Sequence, residues 1–378
     1  MSLSGLYIHI PFCIQICPYC DFNKVLRSEV SDSFVRRYQN ALLREWEFWK
    51  NKESVFSKIG TIYFGGGTPS LYPSEKILEI LNRVRSHAEV KEGIEVTLEV
   101  DPKTIRRPKL EMLKAAGINR VSLGVQSFQD PILEKLGRYH RQKDILACYA
   151  DCRAVGFGNV SLDLMYGVPG QTLELWENDL LQVEHLNPEH VSLYSLNLMR
   201  GTDFFRKRKS LFFPPEPLQE KFYKMALKTF RSLGILPYEI SNFAKKGFES
   251  RHNSDCWNRN PYLGLGAGAS SFLGQKRWTN VKSLHAYVEK IEQNGNAVLS
   301  TEILSERVEK IEFVMLQLRK TKGFLRSEYE HLFGSKAQDD FPSLFNRADL
   351  KPCLNQGARI RLTVSGRNLS NEVFQELF

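Results

Sequence analysis

The chain lacks most of the features that would take it out of the ordinary globular class. No apolar run approaches the roughly 18 residues that a membrane span needs, and no basic stretch followed by an apolar one opens the sequence. Neither a span nor a secretory signal is therefore expected, and the cytoplasm is the default compartment. There is no internal repeat and no low-complexity tract, which sets aside solenoids and disordered tails. Cysteine is scarce and odd in number, seven in 378 residues. That argues against a disulfide framework and for a reducing compartment. Charge comes in no long block either. The net charge is +9, but Lys and Arg are scattered, and the densest spots are RRP at 106–108 and RKRKS at 206–210. A solvated basic surface is the preferred reading and nucleic acid the minor one, held open only for the C-terminal region.

What is present is an alternation. Short β-branched runs recur at 6–10 (LYIHI), 61–65 (TIYFG), 95–100 (EVTLEV), 120–125 (RVSLGV), 159–167 (NVSLDLMYG) and 190–196 (HVSLYSL). Helical periodicity fills 32–50, 72–88, 104–116, 131–155 and 172–186. Six strand–helix units predict an α/β fold, a partial (β/α)6 barrel over residues 1–235, with an open doubly wound sheet as the alternative. The barrel is preferred because chemically useful residues sit where its strands end: the cysteines, GGGTPS at 65–70, Glu99 and Asp101, Gln126, and Asp163 ahead of Gly167. Barrel sites gather at the C-terminal ends of the strands. Residues 236–304 read as a barrel extension and connecting segment, with a helix over about 282–293. Residues 305–378 read as a small C-terminal helical, winged-helix-like domain. It would open on the helix ERVEKIEFVMLQLR and carry a strand in RIRLTVSG at 359–366.

Three of the cysteines crowd into CIQICPYC at 13–20, a C-x3-C-x2-C spacing. Short spacers of this kind let thiolates converge on an iron–sulfur cluster. Three thiolates leave one iron of a cubane open to a substrate's amine and carboxylate. A closed zinc site wants four ligands, and the nearby His9 lies in an alternating strand and reads as packing. Tyr19, between the second and third cysteines, could shield the cluster or stack on a purine. The glycines of GGGTPS let backbone approach a ligand, although a tight strand-to-helix turn would also use them. Glu99 at a strand end could accept from ribose hydroxyls or an amine. Gln126 and Arg138 lie twelve residues apart, across a loop and the first turns of a helix. Asp163 sits in an apolar strand and needs a partner, a buried Asp–Arg pair being the plain reading. Cys148 and Cys152, i and i+4 on a helix, read as core. His252, in the loop-rich RHNSDCW, reads either as a ligand to haem iron or as a hydrogen-bonded loop histidine.

The string YIHIPFCIQICPYCDFN resembles the radical S-adenosylmethionine superfamily. Within it the chain resembles the branch of oxygen-independent coproporphyrinogen oxidases and the related haem chaperones of the HemW type. GGGTPS, LEVDP, GVQSF, GRYH, DLMYGVPGQT, YEISNFA, RHNSDCWN and LTVSG extend the likeness over nearly the whole chain. The resemblance implies a 4Fe–4S cluster on Cys13, Cys17 and Cys20. It implies S-adenosylmethionine held by Gly66, Gly67, Thr68, Tyr7, Glu99, Gln126, Arg138 and Asp163, with Tyr19 beside the cluster. It also implies haem at His252, with Asn253 and Trp257 matching the chaperones' HNxxYW and Cys256 departing from it. The oxidases commonly carry a further cysteine two residues beyond the third, and an extra segment ahead of the cluster. Here Phe22 stands at the first place, and the first cysteine is the thirteenth residue. The expectation is therefore a haem carrier that hands haem to an acceptor protein, with an oxidase of porphyrin biosynthesis as the alternative. No catalytic residue is assigned, and a homodimer is left open.

Overall fold

The structure is a computed structural model that describes residues 3–52 and 58–378. Six strands run parallel in chain order: β1 (Leu3–Ile10), β2 (Lys58–Gly66), β3 (Glu89–Val100), β4 (Arg120–Gln126), β5 (Val160–Tyr166) and β6 (His190–Ser195). Between them lie α1 (Asp32–Lys52), α2 (Ser74–Arg85), α3 (Arg107–Ala115), α4 (Gln142–Ala154) and α5 (Leu173–Leu186). Spatial order equals chain order. Crossovers of one hand then place every helix on one face, which curls the sheet into a partial barrel. A doubly wound sheet would reverse its strand order partway, and this one does not.

The sheet continues on both sides. After α6 (Glu216–Ser232), the short strands β7 (Leu236–Pro237) and β8 (Asn242–Ala244) add antiparallel beyond β6. Then α7 (Arg251–Trp257) leads to β9 (Tyr262–Leu265), a seventh parallel strand on the far side of β1. The antiparallel strands β10 (Ser270–Leu273), β11 (Lys276–Asn280) and β12 (Val298–Ile303) follow, with α8 (Leu284–Asn294) between the last two. From α9 (Glu306–Arg319) onward a second apolar core forms, from Ile311 to Leu377, around a three-stranded antiparallel sheet of β13 (Phe324–Leu325), β14 (Leu354–Gln356) and β15 (Arg359–Leu362). No helix among the described residues is long and apolar enough to cross a membrane.

Three local expectations need correction. The periodicity over 131–155 predicts one helix, but the chain forms Asp130–Lys135 and α4, broken at Gly137, which has φ +65°. The break turns Arg138 out of a helix and into a loop. The strand expected over 359–366 stops at Leu362, because Thr363 caps the turn that follows, accepting the Gly366 N–H at 3.1 Å. The helix α7 arises in a stretch without helical periodicity. Its free N–H groups are met from outside: Ser250 caps it, and the Glu95 carboxylate on β3 accepts from Arg251 N and His252 N, each at 3.0 Å.

Helix α1 carries the buried hub of the molecule. Glu45 is fully buried and accepts from Gly266 N (2.9 Å), Asn280 Nδ2 (2.6 Å) and Tyr287 Oη (2.6 Å). Burial pushes its carboxyl up to about 7. One side chain thus ties α1 to the β9–β10 turn, to β11 and to α8.

Candidate cluster and cofactor site

The barrel strands alternate strictly. Val121, Leu123 and Val125 of β4, Val160, Leu162 and Leu164 of β5, and Val191 and Leu193 of β6 all belong to the apolar core against the helices. The opposite face of the same strands carries Arg120, Ser122, Gly124 and Gln126, then Ser161 and Asp163, then His190, Ser192 and Tyr194. Parallel strands buried on both faces read as continuous apolar runs, so this alternation marks a polar lumen. Its upper part is a cavity of about 500 Å3 lined by Cys13, Cys17, Tyr19, Cys20, Gly66, Gly67, Thr68, Glu99, Gln126, Arg138 and Asp163, among others. The strand-end residues and the cysteines expected from the sequence therefore share one wall.

The cysteine loop leaves β1 and is closed at its base by Phe12–Cys13 pairing in parallel with Val25–Leu26. Behind it, His9 Nε2 bonds Asn23 O at 2.7 Å. A carbonyl can only accept, so Nε2 carries the proton and Nδ1 accepts from Tyr7 Oη at 3.0 Å. Burial lowers the His9 pKa and keeps the ring neutral. Asn23 Nδ2 in turn donates to Ala267 O and Lys282 O, each at 2.9 Å. His9 is thus a brace, as its strand pattern predicts. Tyr7 braces His9 from below and does not line the cavity.

The glycine turn is shaped around the first cysteine. Gly66 has φ +122°, and a Cβ at Gly67 would fall 2.9 Å from Cys13 Sγ and 2.8 Å from the Pro11 carbonyl oxygen. Only glycine fits at either place. Thr68 Oγ1 donates to Cys13 Sγ at 3.6 Å, and burial pushes that thiol up to about 11. Arg138 Nη1 stands 3.6 Å from Cys17 Sγ, while its Nη2 donates to Asp101 Oδ2 at 2.7 Å and to Gly124 O at 3.2 Å. Burial opposes ionisation of Asp101, yet His140 and Arg138 together hold its carboxyl below the usual range. Among the described residues, no three His, Cys, Asp or Glu side chains converge tightly enough for a single metal ion. A cubane binds each thiolate to a different iron, so its ligands stand farther apart than those of one ion. Three cysteines around one end of a cavity, with a cradle that a Cβ would fill, fit such a cluster.

The carboxylates are held ready. Glu99 accepts from Tyr63 Oη at 2.9 Å and from Gly66 N at 3.1 Å, and burial, reinforced by Asp163, raises its pKa to about 7. Asp163 is held by Ser122 Oγ (3.0 and 3.1 Å) and Ser161 Oγ (3.2 Å) rather than by a direct ion pair with arginine. Gln126 sits at φ +64°, where the β4–β5 register shifts, and the kink re-aims the strand end toward the cavity. If Glu99 receives ribose hydroxyls or an amine as an anion, S-adenosylmethionine affinity should rise roughly tenfold between about pH 6 and pH 8 as the carboxyl ionises through about 7. Glu99→Gln should flatten that profile in isothermal titrations.

His252 lies elsewhere. It is buried, its Nδ1 is 2.8 Å from Thr61 Oγ1, and its ring stacks under Tyr63 at 5.1 Å between centroids. Burial, then Arg120, lowers its pKa to about 4. It does not line the cavity, whereas its neighbour Asn253 does. Cys148 and Cys152 are buried in the core. Sequence reasoning passed over Tyr63, Asp101 as the partner of Arg138, and Arg120. The signal for all three was parity, since each shares the lumen face with a residue already singled out.

A parallel β/α barrel whose first strand runs into C-x3-C-x2-C over a glycine turn defines a radical S-adenosylmethionine protein, and the family model described as the Radical SAM superfamily matches residues 7–183. The chain belongs, within that superfamily, to the HemW family. It is 37% identical to the heme chaperone HemW of Bacillus subtilis over 98% of both chains. It is 33% identical to that of Lactococcus lactis over 99% of this chain and 97% of the relative. Among solved structures it resembles coproporphyrinogen III oxidase HemN from Escherichia coli, at TM-score 0.85 and 23% identity, over 100% of this chain and 90% of that one. That likeness speaks for the fold.

Proposed function

We propose that this protein binds haem and passes it to an acceptor protein, and that it carries a 4Fe–4S cluster on Cys13, Cys17 and Cys20 with S-adenosylmethionine on the open iron. The observation that carries the reading is the rim of the cavity. Ile14, Phe22 and Met199 line its mouth and are 45%, 64% and 46% exposed. Large apolar side chains grouped at a pocket mouth fit a broad apolar ligand better than a small polar one. The names of the full-length relatives, heme chaperones, support the same choice over the oxidase.

Bound together, cluster and S-adenosylmethionine supply one-electron reductive cleavage of a carbon–sulfur bond. The chain's own part is positional. Gly66 and Gly67 admit the ligand to the backbone, and Arg138 is aimed by Asp101. Glu99 and Asp163 offer acceptors, and Tyr19, packed beside Phe204, covers the cluster loop. None of the seven cysteines is paired in a disulfide, which suits a reducing compartment such as the cytoplasm.

His252 is the residue that would hold haem iron, through the nitrogen not tied to Thr61, once Tyr63, which stacks on its ring, swings aside. Anaerobically reconstituted protein should bind haem and convert no coproporphyrinogen, and decarboxylation seen by chromatography would reverse the choice of branch. His252→Ala should weaken haem binding with iron content normal. An unchanged haem titration would leave that histidine as a brace under Tyr63.

A further inference from the structure

The part of the cavity that the cluster and S-adenosylmethionine motifs leave unclaimed has a chemistry of its own. Its floor is Arg120, on the lumen face of β4. The residue is only 2% exposed yet lines the cavity, and its Nε is buried without a hydrogen-bond partner among the described residues. Its register neighbour on β3, Thr97, likewise has a buried hydroxyl without a partner. A guanidinium stays charged at any working pH, and a buried charge without a hydrogen-bonded partner is heavily penalised. Glu99 and Asp163 feel the charge of Arg120. Both carboxylates already have partners, however, in Tyr63 and Gly66 for the first and in Ser122 and Ser161 for the second. Glu99 also stands one side-chain step, and Asp163 two, nearer the mouth than the Thr97–Arg120 pair. The floor therefore offers a planar cationic donor set with nothing bonded to Nε, beneath a rim of exposed apolar side chains.

We propose that Arg120 anchors a carboxylate subsite at the cavity floor, filled by a propionate of the haem, which enters edge-first with its ring against Ile14, Phe22 and Met199. The inference rests on the haem reading and adds the orientation of the ligand and the residue that sets it. An amphiphile with an apolar disc and carboxylates on one edge matches a cavity that is apolar at its mouth and cationic at its floor. A ligand carboxylate can also come from S-adenosylmethionine itself, so the test separates the two sources.

The full-length reconstituted protein is titrated with haem and with haem dimethyl ester, which has the same ring without the charges. The wild type should bind the free acid about tenfold or more tighter, the range of a charge-assisted bond. Arg120→Gln should erase that preference and Arg120→Lys should restore part of it, since lysine keeps the charge and loses the fork. Equal binding of acid and ester by the wild type overturns the subsite and leaves the haem reading standing, whereas binding of neither overturns both. A preference that survives Arg120→Gln also overturns it. So does a loss of S-adenosylmethionine affinity as large as the loss for haem, which would give the carboxylate to that cofactor. The ester comparison on the wild type needs no variant, so the proposal can fail even if Arg120→Gln does not fold.

Discussion

Cys17→Ala is expected to lose the cluster outright, with the brown absorbance of the reconstituted protein gone and iron falling to a small fraction of four per chain. Cys17 sits mid-loop at the end of the cavity, its Sγ 3.6 Å from Arg138 Nη1 and 4.0 Å from the Gly137 oxygen. No other thiol of the loop can replace it: Cys13 is pinned against Gly67 and Thr68, and Cys20 lies across the turn closed by its N–H to Cys17 O at 3.1 Å. Two thiolates do not hold a cubane. Cys256→Ala, in α7 away from the cavity, should keep its iron and serves as the control. Iron and sulfide analysis decides the matter, and retention of four irons by Cys17→Ala would refute the ligand assignment.

Glu45→Ala should be the most damaging change outside the cavity, costing about 3–5 kcal/mol of unfolding free energy as a buried network loses its acceptor. The Gly266 N–H, the Asn280 amide and the Tyr287 hydroxyl would all lose a partner in a dry site. The wild-type carboxyl also gives stability a pH slope of definite sign. Its pKa is about 7 when folded against 4.5 for the ordinary group. Between those values the native state holds the proton that the unfolded state has released. Stability from this group is therefore full below about 4.5 and declines until about 7. Glu45→Gln removes that slope, so urea unfolding of the two proteins should diverge from pH 5 to pH 7 and run parallel above it.

The six barrel strands and the cluster loop were legible because both are local patterns: a period of two, and cysteines three and two residues apart. Glu99, Gln126 and Asp163 followed because they sit on the lumen face at strand ends. What escaped was non-local. Strand β9 is four residues long and contains glycine, so nothing in YLGL distinguishes it from a loop until β1 offers an unpaired edge. Helix α7 exists because Glu95, some 157 positions earlier, caps it. The break at Gly137 was hidden by apolar residues on either side in helical phase. His252 reads as a loop ligand in sequence and lies under Tyr63 in the fold, because α7 packs on β2, whose Thr61 and Tyr63 are remote from it in the chain.

The brace behind the cysteine loop bears on timing. A ribosome makes Cys13, Cys17 and Cys20 long before Ala267 and Lys282, and Asn23 cannot complete its bonds until those two have been made. Until then the three thiols are out of the exit tunnel without the frame that spaces them. Loading of the proposed cluster into a finished site has to wait until Lys282 is made, and the early cysteines need protection from stray metal and oxidant meanwhile.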